Sequence, residues 1–575
     1  MIEARGVRVE MRDGAGLATD VFRPDTVDPV AVLVSRTPYG RATASPPPAT
    51  ERLVDAGFAV VVQDCRGRFD SEGDWTYVRA EVDDGYDTVE WAARQPWSTG
   101  RVGMFGASYM ANAQWMAAIS RPPHLSAIAP ECCPADYWSA SFEAGGAFRL
   151  ALRFSWAASM VASTAARSGF EDPGLEPLAR ANEAMYDAIA RNDREAVAAA
   201  GASARAVLHE LYRRRPLRTA GAWFGSARWL GEIFEHEDPD DAYWRRIAPS
   251  SHYDVLDLPA VHVAGWYDIH LRGTLANFAG MRRQAPTRRA RAAQHLVVGP
   301  WGHWAPQERV VGEVDFGPRA VLDTVQLRID WFGRWLQDRP APHLPPVRIF
   351  VMGDDEWRDE EDWPPARARV ESWFLRVGGT LGRDAPVGDE AADEFVYDPR
   401  TPVPTVGGRL LAMGELAGPR DQRGVSGRAD VIVYASRPFA GEIEITGPVV
   451  AELWAATDAP DTDFTAVLVD VHPDGAAMNL CEGSVRARHA GLPVPLRPGA
   501  AYRYTLDLGA TSAVLGAGHR LALHVSSSSY PEWEPNPNTG RPLGVDREED
   551  LRPARQRILH DALHPSRVVL FVAPR

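Results

Sequence analysis

Two patterns of apolar residues divide the chain. Up to about residue 340, short continuous apolar runs such as AVLVSRTPYG (31–40) and FAVVVQDCRG (58–67) alternate with helical stretches. Such runs between helices are typical of a parallel sheet that is covered on both faces. Beyond residue 341, helical periodicity nearly vanishes, and β-type segments are separated by Gly, Pro and Asp turns. The pattern therefore predicts an α/β domain followed by an all-β sandwich or jelly roll.

A helical region interrupts the α/β pattern. From residue 137 to residue 244 the chain is rich in alanine and arginine and shows no strand signal. Strand-like runs return in LPAVHVAGWYD (258–268) and AQHLVVGPWGHW (293–304). We therefore predict three domains: an α/β domain from 1–136 and 245–340, a helical cap from 137–244, and a β domain from 341–575.

Composition excludes several classes of function. The 575 residues carry a formal charge of −15, which argues against nucleic acid or an anionic membrane as a partner. No apolar run approaches the ~20 residues that span a bilayer, and the N-terminus has no apolar signal region. With four cysteines and no C-x-x-C, the expected protein is cytoplasmic with reduced thiols. All 62 basic residues are arginine, which excludes a Schiff-base lysine, and no metal or organic cofactor is expected.

One serine lies at a strand-to-helix junction. In GRVGMFGASYMANAQWMAAIS (100–120), a strand leads through Gly106 to Ser108, and apolar residues then recur at helical spacing. This is the arrangement of an α/β-hydrolase nucleophile, in which glycine permits the strained turn. The usual pattern is G-x-S-x-G, whereas this chain reads Gly106-Ala107-Ser108-Tyr109-Met110, with methionine at the last position and alanine after it. A buried serine in an ordinary turn fits the same residues, so the prediction needs an acid and a base.

An acid and a base follow in the order that this fold uses. Asp268 comes directly after one predicted strand, and His303 comes after the next. Functional groups of open α/β sheets collect at the carboxyl ends of strands, and α/β-hydrolases use the chain order Ser, Asp, His. We predict that His303 takes the proton from Ser108 and that Asp268 orients the imidazole.

These motifs resemble the CocE/NonD family of serine hydrolases, which contains cocaine esterase, α-amino acid ester hydrolases and X-Pro dipeptidyl peptidases. The resemblance covers nearly the whole chain. It rests on the stretches MRDGAGLATDVFRP, SRTPYGR, QDCRGRFDSEGDW, GASYMANAQWMAA, GWYD, GPWGHW, GPRDQR, TDFTAVLVDVHPDG and YPEWEPNPNTG. The resemblance implies an α/β-hydrolase domain with an inserted helical cap and a C-terminal jelly roll.

The resemblance also implies an oxyanion hole. In relatives, the tyrosine of the RTPYGR motif, here Tyr39, donates its hydroxyl to the oxyanion together with the backbone N–H of the residue after the serine, here Tyr109. A phenol is protonated at neutral pH and can donate a hydrogen bond to a developing negative charge.

The acyl pocket is predicted from the cap and from the residues after Asp268. The candidates are Trp138, Phe142, Trp156 and His270, although aromatic residues at helical spacing also fit an ordinary core. Amino acid ester hydrolases carry carboxylates after the GWxD aspartate, and these bind the substrate ammonium. Here the following residues are Ile, His and Leu, so recognition of a free amine is not expected.

The expected reaction is hydrolysis of a carboxylic ester with a medium-sized, largely apolar acyl group. An X-Pro dipeptidyl peptidase or an amide or β-lactam acylase could use the same triad. A catalytically silent binding protein, whose β domain holds a carbohydrate or a partner, is the alternative outside enzymes. The expected partner is a small ester or amide molecule, and a homodimer is left open.

Overall fold

The computed structural model describes residues 1–168, 175–190, 193–223, 227, 229–303, 306, 308–340, 344–411 and 417–575. Across these ranges, no helix combines the length and the apolar character needed to cross a bilayer.

The first part of the chain forms a ten-stranded mixed sheet in the order β1-β2-β4-β3-β5-β6-β7-β8-β11-β12. The centre is parallel, and the pairs at each end are antiparallel. Its central strands are the apolar runs of the sequence, because both faces are covered. The strands are β1 Ile2–Glu10, β2 Gly16–Arg23, β3 Val30–Thr37, β4 Phe58–Asp64, β5 Ser98–Ala107, β6 Leu125–Glu131, β7 Ala260–Tyr267, β8 Gln294–Gly302, the hairpin β9 Val310–Val311 and β10 Val314–Asp315, β11 Val347–Val351 and β12 Glu356–Glu360.

Helices cover this sheet and form the cap. The cap helices lie between β6 and β7, as the alanine-rich composition predicts. In chain order the helices are α1 Arg41–Ala44, α2 Pro47–Asp55, α3 Glu81–Ala93 and α4 Tyr109–Ile119; the cap helices α5 Tyr137–Phe142, α6 Leu150–Ser168, α7 Glu176–Ala190, α8 Arg194–Arg213, α9 Ala220–Trp223, α10 Trp229–Ile233 and α11 Ala242–Arg245; then α12 Leu271–Gln284, α13 Arg288–Ala292 and α14 Thr324–Leu336.

The C-terminal part is rich in β structure. Eleven strands form one sheet system in the order β15-β22-β17-β23-β13-β14-β16-β21-β18-β19, with β20 paired to β17. One short helix, α15 Arg423–Ser426, precedes β16. The strands are β13 Arg369–Arg376, β14 Thr380–Gly382, β15 Asp393–Tyr397, β16 Ile432–Ala435, β17 Ile443–Thr457, β18 Asp463–Val471, β19 Ala477–Arg486, β20 Tyr502–Leu515, β21 Arg520–Ser526, β22 Ala554–Leu559 and β23 Arg567–Ala573.

Two strands that follow the predicted boundary at residue 341 pair with the first sheet. Strand β11 pairs in parallel with β8 through Val347 and Leu296, and β12 pairs with β11. Both strands therefore extend the first sheet, the second sheet begins with β13, and the domain boundary at residue 341 stays a prediction. Sequence patterns missed this because a β-type segment does not reveal which sheet it joins. Backbone hydrogen bonds between Met352 and the β20 residues Ser512 and Val514 then connect the two sheets.

The buried apolar residues form two large clusters, one on each side of the first sheet. One cluster joins residues such as Leu33 and Val263 to the core of the β-rich domain. The other joins residues such as Val34 and Met104 to the cap helices. Helices of the α/β domain cover the first sheet in both clusters: α2 and α14 contribute Leu53 and Phe332 to the first cluster, and α3 and α4 contribute Val89 and Trp115 to the second.

Candidate active site

Ser108 occupies a strained turn between β5 and α4. Its backbone has φ 58° and ψ −121°, in the left-handed region that non-glycine residues rarely adopt. The Ser108 N–H donates to Glu131 O at 2.9 Å, which ties the turn to the neighbouring strand. Gly106 has φ 132°, and a Cβ atom there would lie 2.5 Å from Met110 Cβ. The glycine is therefore required by close packing. Strained backbone of this kind occurs often at functional positions, which is consistent with the role predicted for Ser108.

Asp268 and His303 form a buried pair at the ends of β7 and β8. His303 Nδ1 lies 2.5 Å from Asp268 Oδ2, and both side chains are almost completely buried. The second carboxylate oxygen accepts the backbone N–H of His270 at 2.6 Å. Burial alone would raise the pKa of Asp268, but the charge and the hydrogen bond of His303 lower it below its ordinary value. The carboxylate is therefore ionised and held in one orientation.

Ser108 and this pair lie along the same edge of the sheet. They follow β5, β7 and β8, which are separated only by β6 in the strand order. Ser108 lines a pocket together with His270, whose ring centroid is 5.6 Å from that of His303. Among the described contacts, none joins the Ser108 hydroxyl directly to the His303 ring. The Ser108–His303 relay therefore stays a prediction.

The two residues predicted for the oxyanion hole offer different groups to the pocket: Tyr39 offers its side-chain hydroxyl, and Tyr109 offers its backbone N–H. Tyr39 lies just beyond β3 and lines the pocket, where its hydroxyl accepts a hydrogen bond from Trp156 Nε1 at 3.3 Å. The Tyr109 side chain instead points into the core, where its hydroxyl donates to Tyr77 O at 2.8 Å and burial raises its pKa well above the usual value. Only the Tyr109 N–H, in the first turn of α4, can serve the pocket.

The pocket contains two of the four predicted acyl-pocket residues. Trp156 and His270 line it beside Ser108. The structure places Trp138 and Phe142 elsewhere. The Trp138 indole donates to Glu237 O at 2.7 Å, and Phe142 is fully buried. These two aromatic residues therefore hold the cap together, since sequence spacing gives their helix but not the direction in which each side chain points.

Sequence analysis missed three polar residues of this pocket. Tyr77, Asn112 and Arg153 line it beside Ser108. The signal for Arg153 was a single charged residue inside the apolar cap segment LALRFSWAASM. Tyr77 and Asn112 carried no such signal, because they come from separate parts of the α/β domain.

Two groups in the described part of the chain have the donor atoms of a metal site. One is Cys132 with the Asp268–His303 pair, and the other is Asp470, His472 and His519 in the β-rich domain. In each group the carboxylate already accepts hydrogen bonds or ion pairs from imidazoles. Neither group carries an argument for a resident metal.

Comparison with known proteins identifies the family. Residues 13–305 match the family profile described as X-Pro dipeptidyl-peptidase (S15 family). The chain belongs to the S15 family. Residues 341–569 match the non-catalytic C-terminal domain of X-Pro dipeptidyl-peptidases. The CocE/NonD resemblance predicted from the motifs is thereby confirmed.

Individual relatives of this S15 chain agree with that result. It is 36% identical to cocaine esterase from Rhodococcus sp. (strain MB1 Bresler), over 100% of this chain and 99% of that protein. A putative serine esterase from Mycobacterium bovis is 27% identical over 91% of each chain. These relatives and the family profile make the protein a serine hydrolase, so the alternative of a catalytically silent binding protein is set aside.

Solved structures show the same architecture over the full length. An aminopeptidase from a marine sediment Thaumarchaeota archaeon has TM-score 0.82 at 25% identity, covering 100% of this chain and 96% of that one. An α-amino acid ester hydrolase has TM-score 0.79 at 25% identity, covering 99% and 96%. The predicted α/β-hydrolase core with a separate C-terminal β-rich domain is confirmed.

Proposed function

We propose that this S15-family protein hydrolyses carboxylic esters through an acyl-enzyme on Ser108. The observation that carries the proposal is the 2.5 Å Asp268–His303 hydrogen bond at the same sheet edge as the strained Ser108 turn. A buried carboxylate that orients an imidazole, at the same sheet edge as a serine in a strained strand-to-helix turn, is typical of a site that activates a hydroxyl for acyl transfer.

The roles of the residues follow from this geometry. His303 Nε2 accepts the Ser108 proton while Oγ attacks the ester carbonyl, and Asp268 stabilises the imidazolium that forms. The negative oxygen of the tetrahedral intermediate receives hydrogen bonds from the Tyr39 hydroxyl and the Tyr109 N–H. His303 then protonates the leaving alcohol. Water, activated by the same imidazole, releases the acid and restores the serine.

The lining of the pocket supports an ester rather than an amino-terminal peptide as substrate. Among the described lining residues there is no carboxylate that could bind a substrate ammonium. Burial lowers the pKa of His270 well below its usual value, so this ring is neutral. X-Pro dipeptidyl-peptidase activity is the second candidate, because the matched family profile carries that description.

A labelling and turnover experiment tests the proposal. A fluorophosphonate probe should label the wild-type protein, and Ser108→Ala should abolish the label and the hydrolysis of an ester panel. Ser203→Ala, on an exposed part of the cap, is the matched control and should behave as wild type. An absence of labelling would reject the serine mechanism, whereas faster cleavage of Ala-Pro-4-nitroanilide than of esters would favour the peptidase candidate.

We further propose a cytoplasmic enzyme that acts on small molecules. Cys65, Cys133 and Cys481 are buried free thiols, which agrees with a reducing compartment. Light scattering after size exclusion would decide between a monomer and the homodimer that the sequence left open.

A further inference from the structure

Arg153 is a buried charged residue in the pocket beside Ser108. It lies in the first turn of α6 and is only 4% exposed. Its Nη1 donates to the Tyr77 hydroxyl at 2.8 Å. Its Nε and Nη2 have no hydrogen-bond partner among the described residues. A guanidinium in such surroundings is strongly unfavourable unless an acceptor satisfies it, so the pocket is built to receive one.

A second donor lies in the same pocket. The Tyr137 hydroxyl has no hydrogen-bond partner in the described part of the chain, and Tyr137 is 1% exposed. Its ring packs against that of Tyr77 with centroids 5.6 Å apart, and Tyr77 is the residue that binds Arg153. Burial raises the pKa of Tyr137 well above its usual value, so the hydroxyl keeps its proton. Two unused donors therefore converge near the candidate nucleophile.

The described chain supplies no counter-charge for Arg153. No carboxylate occurs among the described residues that line the pocket. Arg149, one helical turn before Arg153, donates to Glu532 Oε1 at 2.7 Å, whereas no described carboxylate forms an ion pair with Arg153. The negative charge that completes the site must therefore come with the bound molecule.

We propose that Arg153 and Tyr137 bind a carboxylate carried by the ester substrate. The inference rests on the ester hydrolysis proposed above and narrows the substrate to anionic esters. A guanidinium presents planar, parallel donors that match the two oxygens of a carboxylate, and it remains charged at every physiological pH. The carboxylate could stand on the acyl part or on the alcohol part of the ester, since both parts adjoin the serine.

Pairs of anionic and neutral esters test whether the enzyme prefers a substrate carboxylate and show which part of the ester carries it. For the acyl side, monoethyl adipate is compared with ethyl methyl adipate; for the alcohol side, 6-acetoxyhexanoate is compared with its methyl ester. The wild type should show kcat/KM about tenfold or more higher for the anionic member of one pair, as expected for a charged hydrogen bond. The pair that shows the preference identifies the side. Preference for the neutral member in both pairs would overturn the proposal.

Substitutions at Arg153 and Tyr137 test whether these side chains cause the preference for anionic esters. Arg153→Met should reduce the ratio of anionic to neutral kcat/KM by about tenfold or more, and Tyr137→Phe by a few-fold. Arg246→Met removes the same charge from an exposed position just after the cap and should keep the wild-type ratio. If Arg153→Met does not fold, Arg153→Lys keeps a charge without the planar fork and should retain part of the preference. An unchanged ratio in the soluble Arg153 variant would reject the site.

A binding measurement separates this inference from the proposed reaction. Calorimetry on Ser108→Ala, which cannot turn over, should detect monomethyl adipate more tightly than dimethyl adipate, and Arg153→Met in that background should remove the difference. Equal binding of the two esters would overturn the anion site. If the wild-type protein is not labelled by the fluorophosphonate probe while Ser108→Ala still binds the anionic ester more tightly, only the esterase proposal is rejected.

Discussion

Two neighbouring regions of this molecule bury arginines in opposite ways. At the junction of the cap and the β-rich domain, Arg486 donates to Asp463 at 2.9 Å and to Glu534 at 3.1 Å. Arg149 donates to Glu532 at 2.7 Å in the same zone. In the pocket, Arg153 is as deeply buried as these residues but meets only a tyrosine hydroxyl among the described side chains.

This difference in pairing distinguishes arginines that stabilise the contact between domains from an arginine that we propose binds the substrate. A buried ion pair within the chain is complete, and breaking it leaves an uncompensated charge. A buried donor that faces a pocket finds its acceptor only when a substrate binds. Its removal should therefore change substrate selectivity more than the free energy of unfolding. The buried carboxylate of Asp268 is likewise paired within the chain, with His303, but this pair lies at the sheet edge where the predicted nucleophile follows β5.

The largest predicted effect lies at this catalytic pair. Asp268→Asn should lower kcat by about 10⁴-fold, because the amide stabilises the wrong imidazole tautomer and no longer balances the imidazolium. The substitution keeps the shape of the side chain, so circular dichroism and solubility should match the wild type. Steady-state kinetics on the preferred ester measures the loss, and a decrease below tenfold would remove Asp268 from the proposed triad.

The next effect lies at the junction and concerns stability. Glu534→Gln should lower the free energy of unfolding by about 3–5 kcal/mol, because Arg486 and Arg215 both lose a charged partner in a buried site. Chemical denaturation measures the change. Glu549→Gln, at an exposed position, is the control and should shift stability only slightly. Equal stabilities of the two variants would contradict the structural role given to the junction.

The smallest of these effects concerns the oxyanion donor. Tyr39→Phe should lower kcat by about 10²–10³-fold, the usual loss when one preorganised donor is removed. KM should change far less, because the hydroxyl acts mainly on the charge that develops in the transition state. A comparable change in KM with kcat preserved would show instead that Tyr39 contributes packing, through its contact with Trp156.

Much of the fold could be predicted because its signals are local. Continuous apolar runs gave the central strands, and alanine-rich sequence gave the cap. The glycine before Ser108 and the strand ends at Asp268 and His303 gave the candidate triad, since the carboxyl ends of parallel strands meet at one edge. Pairing of β11 and β12 with the first sheet was not predictable, because strand partners depend on contacts that no local pattern contains.

The sequence by itself determined the order of domains, the positions of the candidate nucleophile, acid and base, and the family. Only the tertiary structure decided that Trp138 and Phe142 pack away from the pocket while Trp156 and His270 line it. It also decided that Arg149 meets Glu532, nearly four hundred residues away, whereas Arg153 meets no carboxylate among the described lining residues. The physical reason is that periodicity fixes the face of a helix, whereas the charge on the opposing surface comes from distant parts of the chain.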